Sequence, residues 1–114
     1  MTLSIIIVNY KTPQLVLNCL DSVYKQEKSD IITEIIVVDN ASDDGIESLL
    51  MQHFPDAKFV QMGYNAGFAR ANNAGIAIAS GDLVLLLNSD TIVVGNAINT
   101  CCDQFIADDY VACG

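Results

Sequence analysis

Three short polar clusters in this chain each come directly after an apolar run. Asn9 and Tyr10 follow Leu3 to Val8, which is apolar apart from Ser4. Asp39 and Asn40 follow Ile35 to Val38, and Asn88, Ser89 and Asp90 follow the unbroken run Leu83 to Leu87. Carboxylates and carboxamides in such places are hydrogen-bonding groups for a ligand and oxygen donors for a hard divalent cation. An apolar run without alternation is what a parallel strand covered on both faces requires, and ligands of open parallel sheets collect at the carboxyl ends of the strands. The three clusters would then share one sheet edge, with a ligand site at the switch point between the first and fourth strands. Loops at strand ends are polar in any sheet, so the reading rests on amide and carboxylate standing immediately behind each run.

The intervening segments supply the elements that would bring these groups together. Thr12 and Pro13 open a helix, Pro13 at the position where its missing N–H costs nothing, and Val16, Cys19, Leu20 and Val23 recur on one face. The polar stretch 26–30 turns the chain back to the second strand, completing a strand–helix–strand unit whose right-handed crossover places the two strands side by side and parallel. Ser42, followed by Asp43 and Asp44, reads as the start of a second helix with acids in its first turn, and Ile46, Leu49, Leu50 and His53 share its apolar face. Pro55 and Asp56 end that helix, and Lys58 to Met62 reads as a short edge strand. Gly63 to Gly67 forms a loop, and Phe68 to Ala79 suits a helix whose alanines and Gly75 allow close approach to a neighbour. Ser80 and Gly81 stop it before the fourth strand. Beyond Asp90 the pattern suggests an extended connection over 91–94, a helical face of Ala97, Ile98, Cys101, Cys102 and Phe105, a turn at Asp108 and Asp109, and a strand beginning at Tyr110. The expected fold is α/β, a doubly wound and mostly parallel sheet in the order 3-2-1-4, cut off after the start of a fifth strand.

Composition bounds the function. The 114 residues are 52% hydrophobic, which suits one ordinary globular domain spanning 1–114, of a size that fits the N-terminal part of something longer. Five lysines and arginines against fourteen acids give a net charge of -9, so no basic stripe exists to neutralise nucleic acid phosphates. Two unit charges about 4 Å apart repel by roughly 4 kcal/mol at an effective dielectric of about 20, so an anionic ligand on this chain calls for an intervening cation. The longest apolar runs fall far short of the roughly 20 residues that span a bilayer, and the segment after Met1 is a strand pattern, which together point to the cytoplasm. Cys19, Cys101, Cys102 and Cys113 lack CxxC spacing and read as buried thiols.

Several sites known for this architecture fail on the residues. No glycine stands between Asn9 and Pro13, so the phosphate-cradling turn of a dinucleotide fold is missing, and no Gly-Lys-Ser/Thr exists for a P-loop. A phosphoacceptor receiver would need paired acids after the first strand and a late lysine, whereas the last lysine is Lys58. What remains is a nucleotide diphosphate held through a metal.

Leu3 to Tyr10, Ile35 to Ser42, Gly67 to Gly75 and Gly81 to Asp90, in this order and spacing, resemble the N-terminal signatures of family-two inverting glycosyltransferases of the GT-A (Rossmann-like) fold. The Asn-x-Asp form of Asn88 to Asp90 and the Gly67-Phe68-Ala69 opening look most like the rhamnosyltransferase-like members. The resemblance implies that Asn9, Tyr10 and Asp39 hold the base and ribose of a UDP- or dTDP-sugar; a carboxylate can accept from the N3–H of uracil or thymine. It implies that Gly67, Phe68, Asn72 and Asn73 lie near the nucleotide, with Arg70 within reach of a phosphate, and that Asn88 and Asp90 stand where the family has its Asp-x-Asp metal motif. Asp90 is then the ligand of Mg²⁺ or Mn²⁺, ions often bound through one or two carboxylates plus substrate phosphates.

The implied reaction is an inverting transfer to an acceptor hydroxyl in glycan or cell-surface polysaccharide synthesis, with the catalytic base expected beyond residue 114. The acceptor, a glycan or a lipid-linked molecule, would be held by that further part; a lipid-linked acceptor would place the work at the inner face of the membrane. Self-association of the chain is expected through apolar surface left uncovered. A non-catalytic nucleotide-binding or assembly module of the same fold is the other reading.

Overall fold

The computed structural model describes residues 2–25 and 32–90. They form β1 (Thr2–Asn9), α1 (Pro13–Tyr24), β2 (Ile32–Asp39), α2 (Ile46–His53), β3 (Lys58–Gln61), α3 (Phe68–Ile78) and β4 (Leu83–Leu87). The strands make one sheet in the order β3-β2-β1-β4, every neighbouring pair parallel, as the crossover argument requires. The helix and strand expected over residues 91–114 lie outside the described residues, as do Cys101, Cys102 and Cys113.

Each face of the sheet has its own core. Leu3, Ile5, Ile7, Ile35, Val37 and Leu85 point to one side, where they meet Val16, Cys19, Leu20 and Val23 of α1 and Ile46 and Leu50 of α2. Ile6, Val8, Ile36 and Val38 point to the other, under Ala71 of α3. Complete burial of an isoleucine or leucine is worth about 1.5–3 kcal/mol, so the central strands β1 and β2 hold most of the apolar driving force. α3 can lie this close because of Gly75, where an added Cβ would sit 2.7 Å from the Ile6 side chain.

One expectation needs correction. Ser42 does not begin α2: the helix starts at Ile46 behind Gly45, whose φ is 76°. The Ser42 hydroxyl donates to Asp39 Oδ1 at 2.6 Å and accepts from the Lys11 N–H at 2.8 Å, so it is committed to the sheet edge. Asp44 takes over the end of the helix, its Oδ1 accepting from the Ile46 N–H at 3.2 Å. β4 packs one face against the described residues. Leu85 is buried, and Val84 and Leu86 are 37% and 45% exposed on the face that α3, seated over β1 and β2, does not reach; the helix expected over residues 97–105 lies outside the described residues.

The amino edge of the sheet is closed by Glu34 of β2. Its Oε2 accepts from Ser4 Oγ at 2.6 Å, from the Ser80 N–H at 3.0 Å and from Ser80 Oγ at 3.1 Å, and its Oε1 pairs with Lys58. Ser4 Oγ in turn accepts from the Gly81 N–H at 2.9 Å. The Lys58 ammonium first, then these hydrogen bonds, holds the Glu34 carboxyl down at about 2. An added Cβ at Gly81 would meet the Ser4 backbone nitrogen at 2.7 Å, so only glycine makes this turn without displacement.

Candidate functional site

Parallel register aligns the last residues of three strands in one row: Asn9 of β1 is paired with Asp39 of β2, and Asp39 with Gln61 of β3. The row becomes a hydrogen-bonded floor. Asn9 is fully buried, and its Nδ2 lies 3.0 Å from Asp39 Oδ1, 3.1 Å from Asp44 Oδ2 and 3.2 Å from Ser42 Oγ. Its Oδ1 accepts from the Thr12 N–H at 3.2 Å. Asp39, 2% exposed, also receives the Gln61 Nε2 donor at 2.9 Å and the Ser42 N–H at 3.4 Å on Oδ2. Both carboxylate oxygens are therefore engaged within the protein, by neutral donors alone.

Asn40 extends the floor toward the glycine loop. It is buried, its Nδ2 donating to the Gly67 carbonyl at 3.3 Å and its Oδ1 accepting from the Ala66 N–H at 3.4 Å. The N-terminus of α3 is thus fixed against the end of β2. Gly67 itself has φ 86°, a left-handed conformation open to glycine. On the β4 side, Thr12 Oγ1 lies 3.3 Å from both Asn9 Oδ1 and Ser89 Oγ, and Cys19 Sγ donates to the Asn88 carbonyl at 3.8 Å. The tip that ends in Asp90 is tied to β1 and α1. Burial, and next the Asp90 charge, push the Cys19 thiol up to about 11.

At the strand ends and on the first turns of α3, Tyr10, Lys11, Phe68, Arg70, Asn73, Asn88 and Asp90 are exposed and Asn72 is half-buried. The structure therefore brings every residue singled out from the sequence to the carboxyl edge of the sheet or the first turns of α3, and sorts them by depth: Asn9 and Asp39 buried, the others exposed or half-buried. Ser42, Gln61, Thr12 and Asp44 were not among them. Strand register could have found Gln61, which stands opposite Asp39, and the three-residue step from Asp39 to Ser42 suits a side-chain-to-backbone turn.

Asp90 and Asn88 supply a carboxylate and an amide oxygen two residues apart, donors that suit Mg²⁺ or Mn²⁺. Among the described residues no group of three or more His, Cys, Asp or Glu side chains gathers as a metal cage. Such a donor set fits an ion that takes its remaining ligands from water and a bound phosphate.

This strand order, with its helices, defines the class: an α/β fold of the GT-A kind. The mannosyltransferase PcManGT from Pyrobaculum calidifontis, solved with GDP-Man and Mn²⁺, superposes with a TM-score of 0.81 at 26% identity, over 93% of this chain and 32% of that one. The fold of S. aureus TarS 1-349 in complex with UDP matches with a TM-score of 0.79 at 24% identity, over 95% of this chain and 32% of that one. The pattern of glycosyl transferase family 2 matches residues 4–114, and the chain belongs to that family. Chondroitin synthase of Escherichia coli is 27% identical over 113 residues, covering 96% of this chain and 16% of that protein. The chain thus spans from about a sixth to a third of the length of these relatives. Among the described residues no helix is long and apolar enough to cross a membrane.

Proposed function

We propose that this chain is the nucleotide-sugar-binding part of an inverting glycosyltransferase of the rhamnosyltransferase-like kind, taking a UDP- or dTDP-sugar as its metal complex. The observation that supports this most is the tie between the β4 tip and the Asn9–Asp39 floor, because it sets a metal-type Asn-x-Asp beside the strand ends where a nucleotide would lie. In this reading Tyr10 and the polar end of β2 receive base and ribose. Gly67, Phe68, Asn72 and Asn73 approach the nucleotide from the N-terminal end of α3, where backbone N–H groups favour an anion. Asn88 and Asp90 hold Mg²⁺ or Mn²⁺, which when bound supplies positive charge to a departing diphosphate. Because Asp39 has both oxygens engaged, its part is to stiffen the floor and to offer a remaining lone pair to a base N–H.

The acceptor hydroxyl, in glycan or polysaccharide synthesis, would be bound and deprotonated by residues of the family outside this chain, so the chain alone binds donor without transferring sugar. Calorimetry with UDP, dTDP and GDP, with and without Mn²⁺, tests the reading. UDP or dTDP binding that strengthens with Mn²⁺ and loses that gain in Asp90→Ala is the expected outcome. Binding indifferent to both metal and Asp90 would remove the metal assignment, and preference for GDP would remove the pyrimidine assignment.

A further inference from the structure

We propose that Lys11 is a phosphate-contacting residue of the donor site, an inference that rests on the nucleotide-diphosphate reading above. The chain has five strong bases against fourteen acids, so each base has many carboxylates to pair with. Two of the described lysines do so away from the carboxyl edge, Lys25 with Asp21 at 2.8 Å on α1 and Lys58 with Glu34 at the amino edge. Lys11 follows β1 by two residues, is exposed, and makes no ion pair with any described residue. Its Nζ rests 5.3 Å from the centroid of the Tyr10 ring instead, a cation–π distance that keeps the ammonium at the site mouth at little energetic cost to releasing it.

The backbone says the same. Lys11 has φ 57°, a left-handed conformation that a residue with a Cβ rarely adopts. It persists there because its N–H donates to Ser42 Oγ at 2.8 Å, and Ser42 is bonded to Asp39. Glycine or asparagine would serve this turn with less strain, so the turn itself does not call for a lysine. The surrounding edge is acidic, with Asp43 and Asp44 on the loop after β2 and Asp90 on the tip of β4. A diphosphate entering among those carboxylates meets repulsion that a nearby ammonium offsets, and lysine binds phosphate as a compact point charge.

The test compares UDP with uridine, by calorimetry in Mn²⁺ at two ionic strengths, for the natural chain, Lys11→Ala and Lys11→Gly. The glycine variant removes the ammonium while suiting φ 57°, so its fold is secure even if the alanine variant is strained. UDP binding about tenfold weaker in both variants is expected, as for a lost charge-assisted hydrogen bond, with uridine binding unchanged and a shallower salt dependence for UDP. Equal losses for UDP and uridine would mean that Lys11 acts through the Tyr10 ring and would overturn the phosphate contact. Unchanged UDP binding in Lys11→Gly overturns it too, while leaving the nucleotide reading intact. Failure of the natural chain to bind UDP or dTDP would take down both.

Discussion

One strand carries a carboxylate network at each of its ends, and the two are built on opposite terms. At the amino end of β2, Glu34 faces a lysine, two serines and a backbone N–H, and its carboxyl is held near 2. At the carboxyl end, Asp39 faces only neutral donors, from Asn9, Ser42 and Gln61. The non-glycine residues with left-handed backbone, Lys11, Ala41 and Asp43, all lie in the two loops beside Asp39 among the described residues. Such conformations cost about 1–3 kcal/mol each and persist where the surroundings over-determine them. The amino end thus adds stability, and the carboxyl end holds strained loops in place over a buried polar floor. A ligand edge would suit the second arrangement, since a floor whose polar groups hold one another keeps the loops and exposed residues around it in place.

Substitutions can break or sharpen this contrast. Asn9→Leu is expected to have the largest effect, a loss of about 3 kcal/mol in urea unfolding, since it removes the amide that joins Asp39, Asp44, Ser42 and Thr12 and leaves buried acceptors unmatched. A loss under 1 kcal/mol would show that Ser42 and Gln61 hold the floor unaided.

Glu34→Gln should cost about 2 kcal/mol at neutral pH, with Lys58 half exposed and therefore partly screened. The folded carboxyl is depressed to about 2 from an unfolded value near 4.3. Its contribution is thus complete above the unfolded value and is lost as pH falls from about 4 toward 2. The natural chain and the variant should converge in stability across that window, and parallel curves would place the effect elsewhere.

Asp90→Ala should change stability by no more than about 0.5 kcal/mol, as for an exposed position outside the floor. A larger loss would make the β4 tip part of the amino-end type of network.

Much of this arrangement can be read from residues alone. The runs Ile5 to Val8 and Ile35 to Val38 read as core strands, Leu83 to Leu87 as a strand of which Leu85 is buried, and Val16, Cys19, Leu20 and Val23 mark the buried face of α1. The edge position of β3 and the tight packing of α3 through Gly75 also follow from short length and small side chains. The one misreading has a physical cause. Ser42 has the composition of a helix cap, but a hydroxyl bonds to whichever partner the fold presents, and here the sheet edge presents Asp39. Which faces of β4 are covered depends likewise on where helices cross, which the strand's own residues do not encode.

The order of apolar and polar runs by itself determined the parallel α/β architecture, the strand order and the edge at which Asn9, Asp39 and Asp90 gather. Hydrophobic periodicity and crossover handedness are local properties, and they suffice for that. Only the tertiary structure decided depth: that Asn9 and Asp39 are a buried floor, that Gln61, Ser42 and Thr12 complete it, and that exposed Lys11 pairs with no carboxylate of the described residues. Hydrogen-bond pairing depends on register and loop conformation across distant parts of the chain, so it is settled only when the strands are in place.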